Sequence, residues 1–319
     1  MGRASIPTAS IPTASIPTIS YEDFVAGGEV AERFVEVLGR GLERFGFVFV
    51  RDHGIDVELL RRTYALAEQL FALPDAVKRR YETPDDGRQR GYTSFGVEHA
   101  RDQTVADLKE FWHVGRRLPA DHPLTIRKEI PRNCYAEEIP GFSETSQALF
   151  DALDRFSLRL LGAIERYLGL PDGTFEALTC DGNSVLRIIH YPPLPGDVPA
   201  GAVRAAQHED INLITVLPAS TEPGLQLMTR DGQWLDVSPP PDAMVCDTGD
   251  MMQLLTNGRL PATTHRVTNP PQDPQRSRYS MPLFCHPHPD AILRPAGPGA
   301  PAITARDFLM ERLREIGLA

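Results

Sequence analysis

His208, Glu209 and Asp210 stand together among short apolar runs in the second half of the chain. On an extended strand, residues i and i+2 project from one face, so His208 and Asp210 can reach one metal ion while Glu209 points away. His265 lies in a separate run, Thr263-Thr264-His265-Arg266-Val267, and could close the site from a neighbouring strand. Two neutral imidazoles and one carboxylate suit Fe(II) and leave three positions open. A chelating co-substrate with two oxygens could fill two of them and O2 the third. An HxD triplet alone means little, because a surface histidine beside a solvated aspartate is common.

A second pair adds weight. Arg278 and Ser280 are again i and i+2 in one run, with Tyr279 between them. Arg278 offers a planar fork for a carboxylate, and Ser280 a hydroxyl donor. An arginine beside the apolar run from Tyr279 to Phe284 is unfavourable unless an anion meets it. That anion could be a ligand or, in a structural ion pair, a protein carboxylate.

These residues need a frame. From Ser184 onward the chain is a series of short apolar runs broken by Pro, Gly, Asn and Asp. The runs are Val185–Ile189, Ile211–Leu217, Gly224–Met228, Ala243–Cys246, Met251–Leu255 and Tyr279–Phe284. Such spacing predicts an antiparallel sandwich or barrel. Helical spacing of apolar residues predicts helices over about Val30–Phe45, ended by Gly46, over Val57–Ala72, and over Ser143–Leu168. Phe47–Val50 reads as a buried strand, Asp52-His53-Gly54 as a turn, Thr83–Gly91 as a loop, and Thr304–Leu318 as a final capped helix. The fold class is mostly β with α-helical flanks.

Composition narrows the function. A chain of 319 residues with 41% hydrophobic and 24% charged residues is ordinarily globular and long enough for a sizeable core. A net charge of −10 argues against nucleic acid, which needs a basic face. Cys134, Cys180, Cys246 and Cys285 form no CxxC pair, so reduced thiols in a cytoplasm are expected. No apolar run is long enough to span a bilayer, and the first residues lack a signal-peptide core. A SIPTA repeat opens the chain; its first two copies read as a loose tail, and the third, ending in Ile19, as a short strand.

The order HxD, distal His, RxS resembles the isopenicillin N synthase-like family of 2-oxoglutarate/Fe(II)-dependent dioxygenases. Further stretches agree: Leu186–Pro193 (LRIIHYPP), Pro223-Gly224-Leu225-Gln226 with Trp234, and Gly249-Asp250 followed by Thr256-Asn257-Gly258. So do Gly46–Val50, His53-Gly54-Ile55, Arg90-Gly91-Tyr92 and Asp107–Glu110, so that the similarity runs from about residue 15 to 290. The resemblance implies a distorted double-stranded β-helix, a cupin-like jelly roll. It implies Fe(II) on His208, Asp210 and His265. It also implies that 2-oxoglutarate is held at its distal carboxylate by Arg278 and Ser280, with Tyr191 contacting a carboxylate. Where plant members carry Asn two residues before that tyrosine, this chain has Ile189. Arg187, two residues further back, resembles an arginine of bacterial ethylene-forming enzymes, or else serves in a structural pair.

The implied activity is coupling of O2 and 2-oxoglutarate decarboxylation to hydroxylation, desaturation or cyclisation of a small, polar or amphipathic molecule. An oxidase without a keto acid, as in isopenicillin N synthase, and a non-catalytic jelly-roll binder are the competing readings. The expected division is a tail over 1–15, an N-terminal region over 16–130 and a jelly-roll core with its C-terminal helix over 131–319, packed as one unit. Other histidines attract attention without a metal role. His286-Pro287-His288-Pro289 is expected in an exposed loop, and His53 as a packed structural residue. Lys109–Trp112 borders the pocket or forms a strand edge.

Overall fold

β-branched and aromatic runs fold as strands and Leu- and Phe-striped segments as helices. The computed structural model describes residues 15–101, 105–194, 198, 201–270, 273–294 and 302–318; the first two SIPTA copies lie outside them. Its helices are α1 (Tyr21–Ala26), α2 (Gly28–Phe45), α3 (Val57–Phe71), α4 (Asp75–Lys78), α5 (Pro123–Ile126), α6 (Phe142–Leu168), α7 (Thr174–Thr179), α8 (Asp250–Leu255) and α9 (Ala305–Glu315). The strands of the first half are β1 (Thr18–Ser20), β2 (Phe47–Arg51), β3 (Gly91–Thr93) and β4 (Glu110–Gly115). Those of the second half begin with β5 (Val185–Tyr191), β6 (Ala205–His208), β7 (Ile214–Leu217), β8 (Leu225–Met228), β9 (Trp234–Asp236) and β10 (Met244–Thr248). They end with β11 (His265–Val267), β12 (Arg278–Ser280), β13 (Leu283–Cys285), β14 (Ile292–Leu293) and β15 (Ile303–Thr304).

The large sheet runs β1-β2-β10-β7-β13-β5-β4-β3, with β12 also paired to β5; the smaller sheet runs β6-β11-β8-β9. Together they form the distorted double-stranded β-helix. Strands from both halves of the chain share the large sheet, because β2 lies between β1 and β10, and β4 between β3 and β5.

Helix α6 braces the outside of the large sheet. Its stripe of Leu149, Phe150, Leu153, Phe156, Leu160, Leu161 and Ile164 is buried, and Leu158 partly so. Each such side chain contributes about 1.5–3 kcal/mol by leaving water. Asp56 caps α3 by accepting from the Glu58 amide, and Thr304 caps α9 by accepting from that of Asp307. Gly46 ends α2 at φ 66°, where a Cβ would sit 2.1 Å from Thr263 Oγ1. Only glycine lets this turn press against the segment that leads into His265.

Three expectations change. Met251–Leu255 forms helix α8 rather than a strand; Met, Gln and Leu are good helix formers without branching at Cβ, and Asp250 stands in the first turn. The run Tyr279–Phe284 breaks at Met281-Pro282 into β12 and β13, since proline gives no ladder donor. His286-Pro287-His288-Pro289 is not an exposed loop: His286 is buried and His288 half-buried. His53 is packed as expected, its Nδ1 accepting from the Ile55 amide and its Nε2 donating to the Asp242 carbonyl.

Candidate metal centre and cavity

Antiparallel pairing of β6 with β11 sets His265 directly opposite His208, with ring centroids 4.3 Å apart. Asp210 lies two residues past His208, just beyond the end of β6. Its Oδ1 is 3.8 Å from His208 Nε2 and 3.7 Å from His265 Nε2. One donor atom from each of the three residues lies within 4.8 Å of the other two.

The hydrogen bonds behind these groups decide what the donor atoms can do. His208 Nδ1 bonds the Ala206 carbonyl at 2.7 Å, and His265 Nδ1 that of Thr263 at 3.1 Å. A carbonyl only accepts, so each Nδ1 carries the proton and each Nε2 offers a lone pair. Burial, and after it the His208 charge, lowers His265 to about 4, which keeps its imidazole neutral. Thr215 Oγ1 donates to Asp210 Oδ2. Gly249 packs behind Asp210: a Cβ there would lie 2.8 Å from the Asp210 carbonyl. Burial, then the Asp210 charge, pushes the neighbouring Asp247 carboxyl well above its usual range. This donor set fits a divalent iron.

The remaining predicted residues fall into two groups. Arg278, Ser280 and Tyr191 are buried on adjacent strands, Arg278 across from Tyr191 and Ser280 across from Ile189. Arg278 Nε donates to the Glu222 carbonyl at 3.0 Å and Nη2 to Ser220 Oγ at 2.9 Å, while Nη1 is buried and has no partner among the described residues. Arg187 is elsewhere, on the wall of a cavity of about 460 Å3 that also reaches His208 and Asp210. Its Nη1 lies 3.0 and 3.1 Å from the two Glu98 oxygens, and its Nε donates to His113 Nε2 at 2.7 Å. Its guanidinium stacks over Phe111 at 4.2 Å.

Spacing in the sequence does not reveal Glu98, His113 or Asp107 as wall residues, whereas Lys109, expected at the pocket border or a strand edge, does line the cavity. Lys109 Nζ lies 2.8 Å from Asp107 and 2.9 Å from Glu98, and Asp107 accepts from the Ala206 amide on β6. Burial alone would raise the Glu98 carboxyl, but Arg187 and Lys109 hold it far below the usual carboxylate range. Strand β4, which follows Lys109, is paired on both sides rather than being an edge. From α9, Leu309, Arg312, Leu313 and Glu315 close another side of the cavity.

The buried histidines set a pH dependence of stability. His265 and His286 are lowered to about 4, and His113 and His53 also fall below the ordinary value, each with burial as the main cause. Unfolded, all four protonate near about 6.5. Between about 6.5 and 4 the unfolded chain therefore binds more protons, and stability drops as pH falls through that window. Asp247 acts oppositely, regaining stability as pH falls through its raised value. The ceiling is about 1.4 kcal/mol per pH unit for each histidine. Urea unfolding of the metal-free protein should show midpoints decreasing from pH 7 to pH 5; a flat profile would contradict this account.

Comparison with known proteins agrees with the geometry. Residues 16–137 match the non-haem dioxygenase in morphine synthesis N-terminal family, and residues 182–287 the 2OG-Fe(II) oxygenase superfamily. A 2-oxoglutarate-Fe(II) type oxidoreductase of Aspergillus fumigatus is 31% identical over 77% of this chain and 74% of its own. A proline hydroxylase of Petromyces alliaceus is 31% identical over 86% of this chain and 88% of its own. The crystal structure of a 2OG-Fe(II) oxygenase family protein from Caulobacter crescentus is 39% identical with a TM-score of 0.84, covering 95% of this chain and all of that one. A full-length Neurospora crassa protein, crystallised in complex with alpha-KG, is 26% identical with a TM-score of 0.82, covering 96% and 98%. The chain belongs to the isopenicillin N synthase-like family of 2-oxoglutarate/Fe(II) oxygenases, with Fe(II) as its metal and 2-oxoglutarate as its co-substrate.

Proposed function

We propose that His208, Asp210 and His265 hold the iron, and that Arg278, with Ser280 and Tyr191, receives the distal carboxylate of 2-oxoglutarate. The observation that carries this reading is the convergence of the three donor atoms while both Nδ1 atoms are committed to backbone carbonyls. When bound, iron with the keto acid and O2 supplies oxidative decarboxylation to succinate and CO2, coupled to oxidation of a substrate C–H bond. The side chains do the placing. The partnerless Nη1 of Arg278 offers a fixed donor to a carboxylate. Arg187 belongs to the same site as a cavity-wall residue whose plane is set by Glu98 and His113. Leu309 and Leu313 of α9 shield the cavity from water on one side.

The cavity favours a small, polar or amphipathic substrate. Its wall carries balanced ion pairs, Arg187 and Lys109 with Glu98 and Asp107, beside apolar Val185 and Phe284. Residues 16–130 and 131–319 serve as two regions of one unit, a reading supported by the strands that they contribute to a common sheet. A cytoplasmic location is supported by four free cysteines. Among the described residues, no helix is long and apolar enough to cross a membrane. The test is succinate release from 2-oxoglutarate under O2 with Fe(II), with and without candidate small molecules. Substrate-stimulated succinate is expected. Substrate oxidation with no succinate would favour the oxidase that uses no keto acid.

A further inference from the structure

Two buried arginines lack a counter-ion. Arg204 and Arg278 are each only 1% exposed. Among the described residues neither has a carboxylate within 4.0 Å. Each also keeps one guanidinium nitrogen buried and without a partner, Nε of Arg204 and Nη1 of Arg278.

The two belong to one neighbourhood. Arg204 stands just before β6, the strand that carries His208, and its Nη2 donates to the carbonyl of Arg276, two residues ahead of Arg278. Its backbone amide is pinned by Asn269 Oδ1 at 3.0 Å, and Asn269 in turn donates to the Ala202 carbonyl at 2.9 Å. After burial, the charge of Arg278 is the next influence lowering the Arg204 pKa, and Tyr191, which faces Arg278 in register, also acts on it. Glu222 is the acid within electrostatic reach of Arg204, but its carboxylate lies 2.8 Å from Arg276 Nε. A buried ion without a counter-charge is strongly unfavourable, and two of like sign side by side are worse. Such an arrangement suits a place where an anion enters.

We propose that Arg204 is a second guanidinium for the distal carboxylate of 2-oxoglutarate, forming with Arg278 a two-arginine clamp. This rests on the assignment of Arg278 to that carboxylate. The clamp makes the site selective for keto acids with a second carboxylate, because a monocarboxylic keto acid leaves both guanidiniums without a counter-ion.

The test is anaerobic titration of the Fe(II)-loaded protein with 2-oxoglutarate and, separately, with pyruvate, read by calorimetry and by the visible band of the keto-acid chelate. Pyruvate reaches the metal through the same two oxygens but has no distal carboxylate. Arg204→Gln should weaken 2-oxoglutarate by about tenfold to a hundredfold, the worth of a charge-assisted hydrogen bond, and leave pyruvate unchanged. Arg204→Lys, which keeps the charge but loses the fork, should lose only a few-fold, again for 2-oxoglutarate alone. If the Gln variant does not fold, the Lys variant carries the same comparison. Unchanged 2-oxoglutarate affinity, or parallel losses for both acids, would overturn the proposal. A wild-type protein that binds neither acid would instead refute the co-substrate site itself. A response at Arg278→Gln but not at Arg204 would refute only the clamp.

Discussion

Replacing His265 with alanine should abolish 2-oxoglutarate-driven oxidation and lower Fe(II) affinity by more than about a hundredfold. Outer-shell partners of metal ligands already contribute about 10–100-fold to affinity, and His265 is proposed as a ligand itself. Its Nε2 is made available by the Nδ1 bond to Thr263, and among the described residues no other histidine joins His208 and Asp210 in a cluster of possible metal ligands. The measurement is Fe(II) binding by calorimetry under argon, alongside succinate yield. Thermal unfolding gives a second reading. A ligand at a hundred times its Kd stabilises the native state by about 2.7 kcal/mol, and this gain should vanish in the variant. The metal-free variant should be only moderately destabilised, because the lost ring contacts Phe47 edge-on and leaves a small hole. An Fe(II)-dependent rise in melting temperature equal to that of the parent chain would remove His265 from the site.

How much of this is legible in the chain depends on how local each signal is. The i, i+2 spacing of Arg278 and Ser280 is a strand property that survives folding; Asp210 falls just past the end of β6 yet still meets His208, and the α6 stripe is read directly from its helical period. That His265 lies opposite His208 is not readable from spacing alone, since strand register is a tertiary fact; the motif order supplies it. Helix α8 escapes the sequence because a short apolar run looks alike as strand or helix, and only its Met, Gln and Leu content argues for helix. For His286, proline neighbours suggest a loop, yet the chain after β13 runs inward and its Nδ1 bonds the Phe284 carbonyl. Arg187 stands out in the sequence, but its partners Glu98 and His113 show no pattern until β4 pairs with β5 and sets His113 opposite Arg187, with Glu98 against the guanidinium. Arg204 is hidden for a similar reason. An arginine in a sequence looks solvated, and only the folded sheets show this one shut away from solvent, with no carboxylate beside it among the described residues.

Arg278→Gln should raise the 2-oxoglutarate concentration needed for half-maximal succinate formation by about a hundredfold, with a much smaller change in the limiting rate. The reason is geometric. Two of its guanidinium nitrogens are held by Glu222 and Ser220, so the third is aimed without freedom to turn away. A hydrogen bond from an ionised donor to a carboxylate in such a place is worth about 1.5–3 kcal/mol, and the loss of a full buried counter-charge adds to it. Glutamine ends about where the arginine Nε stands, so its amide can still donate to the Glu222 carbonyl, which limits collapse of the strand pair β5–β12. Because the distal carboxylate is remote from the bond that breaks, its loss weakens ground state and transition state alike, which is why half-saturation moves rather than the maximal rate. The same variant should bind pyruvate as the parent does. An unchanged 2-oxoglutarate requirement, with the primary substrate weakened instead, would assign Arg278 to the substrate and leave the keto acid to be held elsewhere.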